Sequence, residues 1–416
     1  MRDDQAIITV SGKGRPGSTA RLRARPRSIA LDLCHRLLLR HGIGRLRLEL
    51  PSGASATIGD PSGLLEAHLA LRSYGAIWRI YRRGALGFAD SYIAGDFDTA
   101  DLKELFAFYF ANEPAITRAL PRFNETRQVD RRFHLSRQNS RDGSRRNIAD
   151  HYDLGNAFYS KWLDRSLLYS SGIYETVNDT LEAAQAAKVR RILAGLELTG
   201  AETLLEIGCG WGALACAAAA QGAEVKAITI SAEQLSGASA RVAAAGLADR
   251  VAVRFEDYRD TTGHFDRLVS IEMIEAVGEE NWPLFFATVS ERLKPGGLAV
   301  IQAITIHEDA FARYRRNPDF IQRYIFPGGM LPTVELMRER AVEAGLEFET
   351  MERFGASYAA TLADWRRRFE AAWPEIAKLG FDERFRRMWR YYLIYCEMGF
   401  ERGLIDVGLY RMRKPV

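Results

Sequence analysis

Three glycines at alternate positions, Gly208, Gly210 and Gly212, follow an apolar run that carries one carboxylate, Glu206, and lead into an alanine-rich stretch, TLLEIGCGWGALACAAAA. That rhythm suits a strand-to-helix turn. Backbone there must approach a ligand closely and take conformations closed to side chains, while the start of the helix behind it supplies free N–H groups. Gly208, Gly210 and Ala213 also satisfy GxGxxG/A, so a dinucleotide is a rival ligand on the turn alone. Two features weigh against it. The turn lies in mid-chain, and the next strand pattern, EVKAITI, leads to Thr229 and Ser231 without the carboxylate expected for a ribose 2′-hydroxyl. Further candidates are Glu275, at the end of the strand pattern SIEMIE, and the acidic–aromatic pair Asp257–Tyr258. Cys396, in YYLIYCEMGF, sits among apolar residues with no histidine nearby in sequence, so an inert buried thiol outweighs a nucleophile.

These residues need a scaffold. LEAAQAAKVRRILAGLEL has helical spacing and leads into the glycine turn; beyond it EVKAITI, SAEQLSGASARVAAAGL, RVAVRFEDYRD, FDRLVSIEMIEAVG and NWPLFFATVSERLKPGGLAVIQAITI alternate strand and helix patterns. Such alternation predicts a parallel, doubly wound α/β sheet with helices on both faces, which holds its ligands beyond the carboxyl ends of the strands. The amino-terminal part reads differently. Residues 1–27 are rich in Arg, Gly, Ser and Pro and are expected to be mobile; order begins near Ser28 with a helical pattern ending at Gly42, then RLRLEL alternates as a strand. Residues 28–123 form a smaller α+β domain, the Arg- and Asn-rich residues 124–146 a linker, and residues 147–416 the main domain.

With 416 residues, 47% of them hydrophobic, the chain has material for a large core and two domains. Lys and Arg outnumber Asp and Glu in residues 1–150, and the balance reverses in 151–416. A basic face fits phospholipid or nucleic acid, or is simply solvated. The four cysteines lack metal-ligand spacing, which predicts a reducing compartment, no disulfide frame and no metal. No run of about 18 apolar residues and no export leader is seen, so neither a membrane span nor secretion is expected.

The order of E-x-GxGxG, a polar end to the second strand, Asp257–Tyr258 and the LKPGG turn resembles class I S-adenosylmethionine methyltransferases. HYDLGNAFY, YSSGIY, LLEIGCGWGALA, ITISAEQ, EDYRD, SIEMIEAVG, RLKPGG, YIFPGGMLP, FGASYAATLADW and RMWRYYLIYCEMGF then follow in the order seen in the cyclopropane-fatty-acyl-phospholipid synthase family. The match covers roughly residues 145–405, and GALGFADSYIAGDFDTADLKELF is similar to that family's amino-terminal lipid-associated domain.

The resemblance implies methyl transfer from S-adenosylmethionine to the cis double bond of an unsaturated phospholipid acyl chain. Such an alkene is a poor nucleophile and reacts only when held in line and close. Transfer leaves a carbocation, so the site needs aromatic faces, a carboxylate and a base for one proton. A proton taken from the transferred methyl closes a cyclopropane; a different deprotonation leads to a methylene- or methyl-branched chain. The family's base is a bicarbonate held by side chains. Its carboxylate position falls on Glu275 and its tyrosine on Tyr358, whereas Ser171 stands where relatives have Cys and Gln302 where they have His. Ser and Gln can still donate hydrogen bonds to an oxyanion. Cofactor contacts are expected from Gly208, Gly210 and Gly212, from Thr229, Ser231 and Gln234 at the ribose, from Asp257 and Tyr258 at the adenine, from Tyr169 and Ser170 at the methionine end, and from Tyr152.

The implied partner is unsaturated phospholipid at the inner face of the cell membrane, contacted peripherally from the cytoplasm, with no nucleic acid; a homodimer is carried as a partner state. Methylation of a soluble acyl carrier and non-catalytic lipid or dinucleotide binding are the competing readings. Whether vesicles are required, and whether S-adenosylmethionine or NAD binds, separates them.

Overall fold

The computed structural model describes residues 43–60, 63–119, 122–137, 139–141, 143–144, 147 and 154–416. The expected tail and first helix, together with His151 and Tyr152, lie outside the described residues. The chain divides into two compact units, Met1–Arg127 with Asp382–Met398, and Gln128–Phe381 with Gly399–Val416.

The first unit is built on a four-stranded sheet of order β2-β1-β3-β4, comprising β1 (Arg45–Glu49), β2 (Ser55–Gly59), β3 (Glu66–Leu71) and β4 (Phe97–Asp98). In β1 the leucines Leu46 and Leu48 point into the core, as the RLRLE alternation predicts. Helix α1 (Gly75–Ile93) changes direction at Gly84, whose φ of 55° and ψ of −130° are not helical. A Cβ at Gly84 would stand 1.9 Å from the Phe123 carbonyl oxygen, so no other residue fits there. The second half of α1, helix α2 (Leu102–Ala119) and the segment Asp382–Met398 enclose a core that includes Tyr92, Phe97, Phe106 and Tyr391. Arg387 closes it, donating to the Phe97 carbonyl (2.6 Å) and to Asp98 Oδ1 (2.7 Å).

The second unit opens with α3 (Gln128–Leu135), so part of the stretch read as a linker is helical. Its sheet has seven strands in the order β10-β11-β9-β8-β5-β6-β7. The strands are β5 (Thr203–Ile207), β6 (Glu224–Thr229), β7 (Val251–Phe255), β8 (Phe265–Ile271), β9 (Leu293–Ile306), β10 (Glu347–Arg353) and β11 (Ile405–Arg413). Strands β5 to β9 are parallel, as alternation predicts, and are joined by α5 (Ala213–Ala220), α6 (Ala232–Ala244) and α7 (Trp282–Arg292); α4 (Leu181–Gly195) precedes β5. Buried runs such as Leu204–Leu205, Leu268–Val269 and Leu298–Ile301 are apolar because layers cover both faces. The sheet is mixed rather than wholly parallel. Strand β11 runs antiparallel to β9 and to β10 and lies between them, a direction that IDVGLYRMR does not encode.

From β5 the chain moves outward through β6 and β7, then returns to place β8 and β9 on the other side of β5. Right-handed crossovers in the two directions put helices on opposite faces and leave a crevice at the carboxyl ends of β5 and β8.

Candidate functional site

The glycine turn lies at that crevice. Gly208, Gly210 and Gly212 all have left-handed backbone, with φ of 80°, 52° and 78°. Gly212 caps α5, and a Cβ there would come within 3.1 Å of the Ala238 Cβ; beside Gly210 there is open space. The Gly208 and Cys209 N–H groups both donate to the Ile228 carbonyl (3.0 Å each), tying the turn to β6. Glu206 is buried with Oε2 unpartnered, and burial pushes its carboxyl up to about 8. Burial, with the Glu206 charge, also pushes up the Cys209 thiol, so that cysteine packs. At the end of β6 the polar residues satisfy one another: the Thr229 hydroxyl donates to Gln234 Oε1 (2.8 Å) and accepts from the Ser231 N–H (3.1 Å), while Ser231 Oγ accepts from the Gln234 N–H (3.3 Å) and caps α6.

On the far side of the crevice the carboxylate at the end of β8 is Glu272, three residues before Glu275. Strand β8 ends at Ile271 because Glu272 takes a left-handed conformation, φ 49°, with its N–H donating to the Gln302 carbonyl (2.8 Å). Three donors converge on its side chain. The Tyr358 hydroxyl reaches Oε2 (2.7 Å), while the Gln302 amide (2.6 Å) and the Ser171 backbone N–H (2.9 Å) reach Oε1. The Ser171 hydroxyl turns away to the Gly172 carbonyl (2.8 Å), so Ser171 acts here through its backbone. Glu275 is not at the strand end but in the following 3-10 turn, where Oε1 accepts from the Ile304 N–H (2.5 Å) and Oε2 is buried without a partner.

The electrostatics separate the two acids. Burial raises the Glu272 carboxyl above the ordinary range, while Tyr358, the Ser171 N–H, the Lys188 charge and Gln302 pull it back part of the way. Glu275 has no such company; burial and the neighbouring Glu272 charge push it up to about 8. Lys188 is buried on α4, donates to the Ser170 hydroxyl (2.6 Å) and is brought down to about 8 by burial against the pull of Glu272 and Asp164. Gln185, one turn earlier, donates to the Ser170 carbonyl (2.9 Å). Together they fix the YSSG segment.

Aromatic rings connect the two sides. Trp211, within the glycine turn, packs on Tyr159 (5.2 Å between centroids), Tyr159 on Tyr169 (5.3 Å), Tyr169 on Trp365 (5.2 Å) and Trp365 edge-on to Tyr358 (6.1 Å). Tyr358 and Trp365 come from one helix, α8 (Gly355–Ala377). Ring faces of this kind attract cations.

The mycolic acid cyclopropane synthetase family model matches residues 139–409, well over half of the chain. The chain belongs to that family. It is 38% identical over 373 residues to the tuberculostearic acid methyltransferase of Mycobacterium tuberculosis, covering 87% of this chain and 86% of that protein. It is 36% identical over 373 residues to the cyclopropane-fatty-acyl-phospholipid synthase of Escherichia coli, covering 88% and 92%. Among solved structures, the mycolic acid cyclopropane synthase CmaA1 complexed with SAH and CTAB superposes with a TM-score of 0.60 at 29% identity, over 65% of this chain and 98% of that one. The protein is therefore an S-adenosylmethionine-dependent lipid methyltransferase with a class I α/β fold.

In this family member the turn fits the cofactor: three left-handed glycines, open space at Gly210 and a helix start behind them. Asp257 is tied to Arg259 through both oxygens (2.9 and 2.6 Å); despite burial, those bonds and that charge hold its carboxyl below the usual range. Tyr258 packs edge-on to Phe285. Cys396 belongs to the first unit, within the segment Asp382–Met398. Of the groups expected to hold bicarbonate, Gln302 and Tyr358 donate to Glu272 and the Ser171 hydroxyl donates to the Gly172 carbonyl. Sequence reasoning missed Glu272, Lys188 and Trp365. The one available signal was Gln185 and Lys188 at helical spacing on a face otherwise made of Ala184, Ala187 and Ile192.

Proposed function

We propose that this methyltransferase methylates the cis double bond of an unsaturated phospholipid acyl chain and that Glu272 receives the proton that leaves. The observation that carries the reading is the convergence of Tyr358, Gln302 and the Ser171 N–H on the Glu272 carboxylate, beside the glycine turn. Gly208 lies against Met273, the residue after Glu272, so cofactor turn and carboxylate share one crevice.

When bound, S-adenosylmethionine supplies an electrophilic methyl on a sulfonium centre. The alkene π pair forms the new carbon–carbon bond, a neutral thioether departs and the adjacent chain carbon becomes cationic. The rings of Tyr169, Trp365 and Tyr358 stabilise that charge and exclude water. Glu272 in its ionised form, which its three donors favour against burial, then takes one proton from the new methyl, and the electron pair released closes a cyclopropane ring.

A second reading has a specific observation in its favour. Here an anchored carboxylate and Gln302 occupy the ground where the ring-forming pattern has histidine and a free anion, and the 38% identical relative is a tuberculostearic acid methyltransferase. If a hydride moves from the methylated carbon to the neighbouring cation first, loss of a proton from the methyl gives a methylene chain. A saturated methyl branch then needs a separate hydride donor.

Purified protein, methyl-labelled S-adenosylmethionine and unsaturated phospholipid vesicles in bicarbonate-free buffer test the proposal. Label should enter the acyl chain, and fragmentation should tell a ring from a methylene. Label in a headgroup or a soluble product, or turnover that requires added bicarbonate, would overturn it.

A further inference from the structure

The first half of α1 carries an aromatic stripe on the outside of the protein. Tyr74, Trp78 and Tyr81 follow one another at i, i+4 and i+7, on one helical face, and are 52%, 59% and 67% exposed. Among the described residues no other Tyr or Trp is exposed to this degree. Trp78 and Tyr81 stack with centroids 5.8 Å apart, and the Arg82 guanidinium lies 5.7 Å from the Trp78 ring. Residues 74–84 hold three arginines and no acid. Arg79 pairs with Asp96 and Arg83 with Asp90, which keeps this half-helix on its unit while the break at Gly84 sets its direction apart from the buried half.

We infer that this face docks on the interfacial zone of an anionic phospholipid bilayer. Trp and Tyr favour that zone because one end of the ring is apolar and the other polar, and the exposed Arg82 beside them can meet a lipid phosphate while Asp96 and Asp90 hold Arg79 and Arg83. Charge argues against the chain's own amino terminus as the occupant: residues 1–42 hold nine Lys and Arg against three Asp and Glu, a like charge. The inference rests on the proposed phospholipid substrate only in that a bilayer must be reached.

The test compares wild type with the double variant Trp78→Ser/Tyr81→Ser and with Arg82→Gln. Co-sedimentation uses phosphatidylglycerol/phosphatidylcholine vesicles and phosphatidylcholine alone, with melting curves to confirm folding. Wild type should prefer the anionic vesicles, the double variant should bind them at least about tenfold more weakly, and Arg82→Gln should lose part of the salt-sensitive binding. Both variants should methylate detergent-dispersed phospholipid as wild type does. Wild-type-like sedimentation by the double variant overturns the inference, as does a double variant that is monomeric where wild type is dimeric yet still binds vesicles normally. If vesicle binding is lost as expected but wild type labels no acyl chain, docking stands and the proposed reaction falls.

Discussion

The Tyr358 hydroxyl donates to Glu272 Oε2 at 2.7 Å, joining the helix that carries the aromatic wall to the carboxylate at the end of β8. A hydrogen bond to a charged acceptor contributes about 1.5–3 kcal/mol. Tyr358→Phe should therefore lower kcat roughly 10- to 100-fold while leaving the calorimetric affinity for S-adenosylmethionine unchanged. Loss of cofactor affinity with kcat intact would place Tyr358 at the cofactor instead.

Lys188 acts on the same carboxylate from behind. Its charge favours ionised Glu272 and is itself disfavoured by burial. Lys188→Met removes that support, so the Glu272 carboxyl should titrate higher, and the acid limb of the kcat–pH profile should move toward alkaline pH. An unmoved limb with a merely lower plateau would mean that Lys188 only holds the loop of Ser170.

The glycine turn was legible in the sequence because its requirement is local: a left-handed backbone is recorded directly as glycine. Glu272 was not. It takes a left-handed φ without being glycine, so the strand pattern SIEMIE breaks three residues before Glu275, the position to which the family resemblance assigned the carboxylate. The donors were half legible. Tyr358 and Gln302 were expected beside a bicarbonate rather than on a carboxylate of the chain, and the turn that presents the Ser171 N–H instead of its hydroxyl depends on Gln185 and Lys188, which are distant in sequence from Glu272. The same limit hides the packing of Asp382–Met398 with the first unit, since no periodicity records a partner far along the chain.

Glu275 makes a prediction about stability and pH. Its folded carboxyl titrates at about 8, far above an unfolded glutamate. The folded state thus holds this proton more tightly, and the stability it contributes is fully present below the unfolded value and is lost as pH rises toward 8. Glu275→Gln cannot ionise. Denaturant melts of wild type and variant should be closest near pH 4.5 and diverge in favour of the variant as pH rises to 8, by up to a few kcal/mol. A difference that is constant across that range would show that Glu275 does not titrate in it.

Glu272→Gly isolates the proton acceptor. The left-handed backbone at this position costs a non-glycine residue about 1–2 kcal/mol, so glycine should leave the protein at least as well folded apart from the lost hydrogen bonds. It would also empty the space onto which Tyr358, Gln302 and the Ser171 N–H converge. In buffer free of small carboxylates the variant should bind S-adenosylmethionine and turn over roughly 100-fold or more slowly, the usual cost of a lost general base. Formate or bicarbonate should then restore turnover in a saturable manner, because each is small, anionic and able to accept the same three hydrogen bonds. Chloride should not, since it is no base. Full turnover without any added anion would remove Glu272 from the reaction and leave Glu275, with its unpartnered Oε2, as the acid that faces the chain.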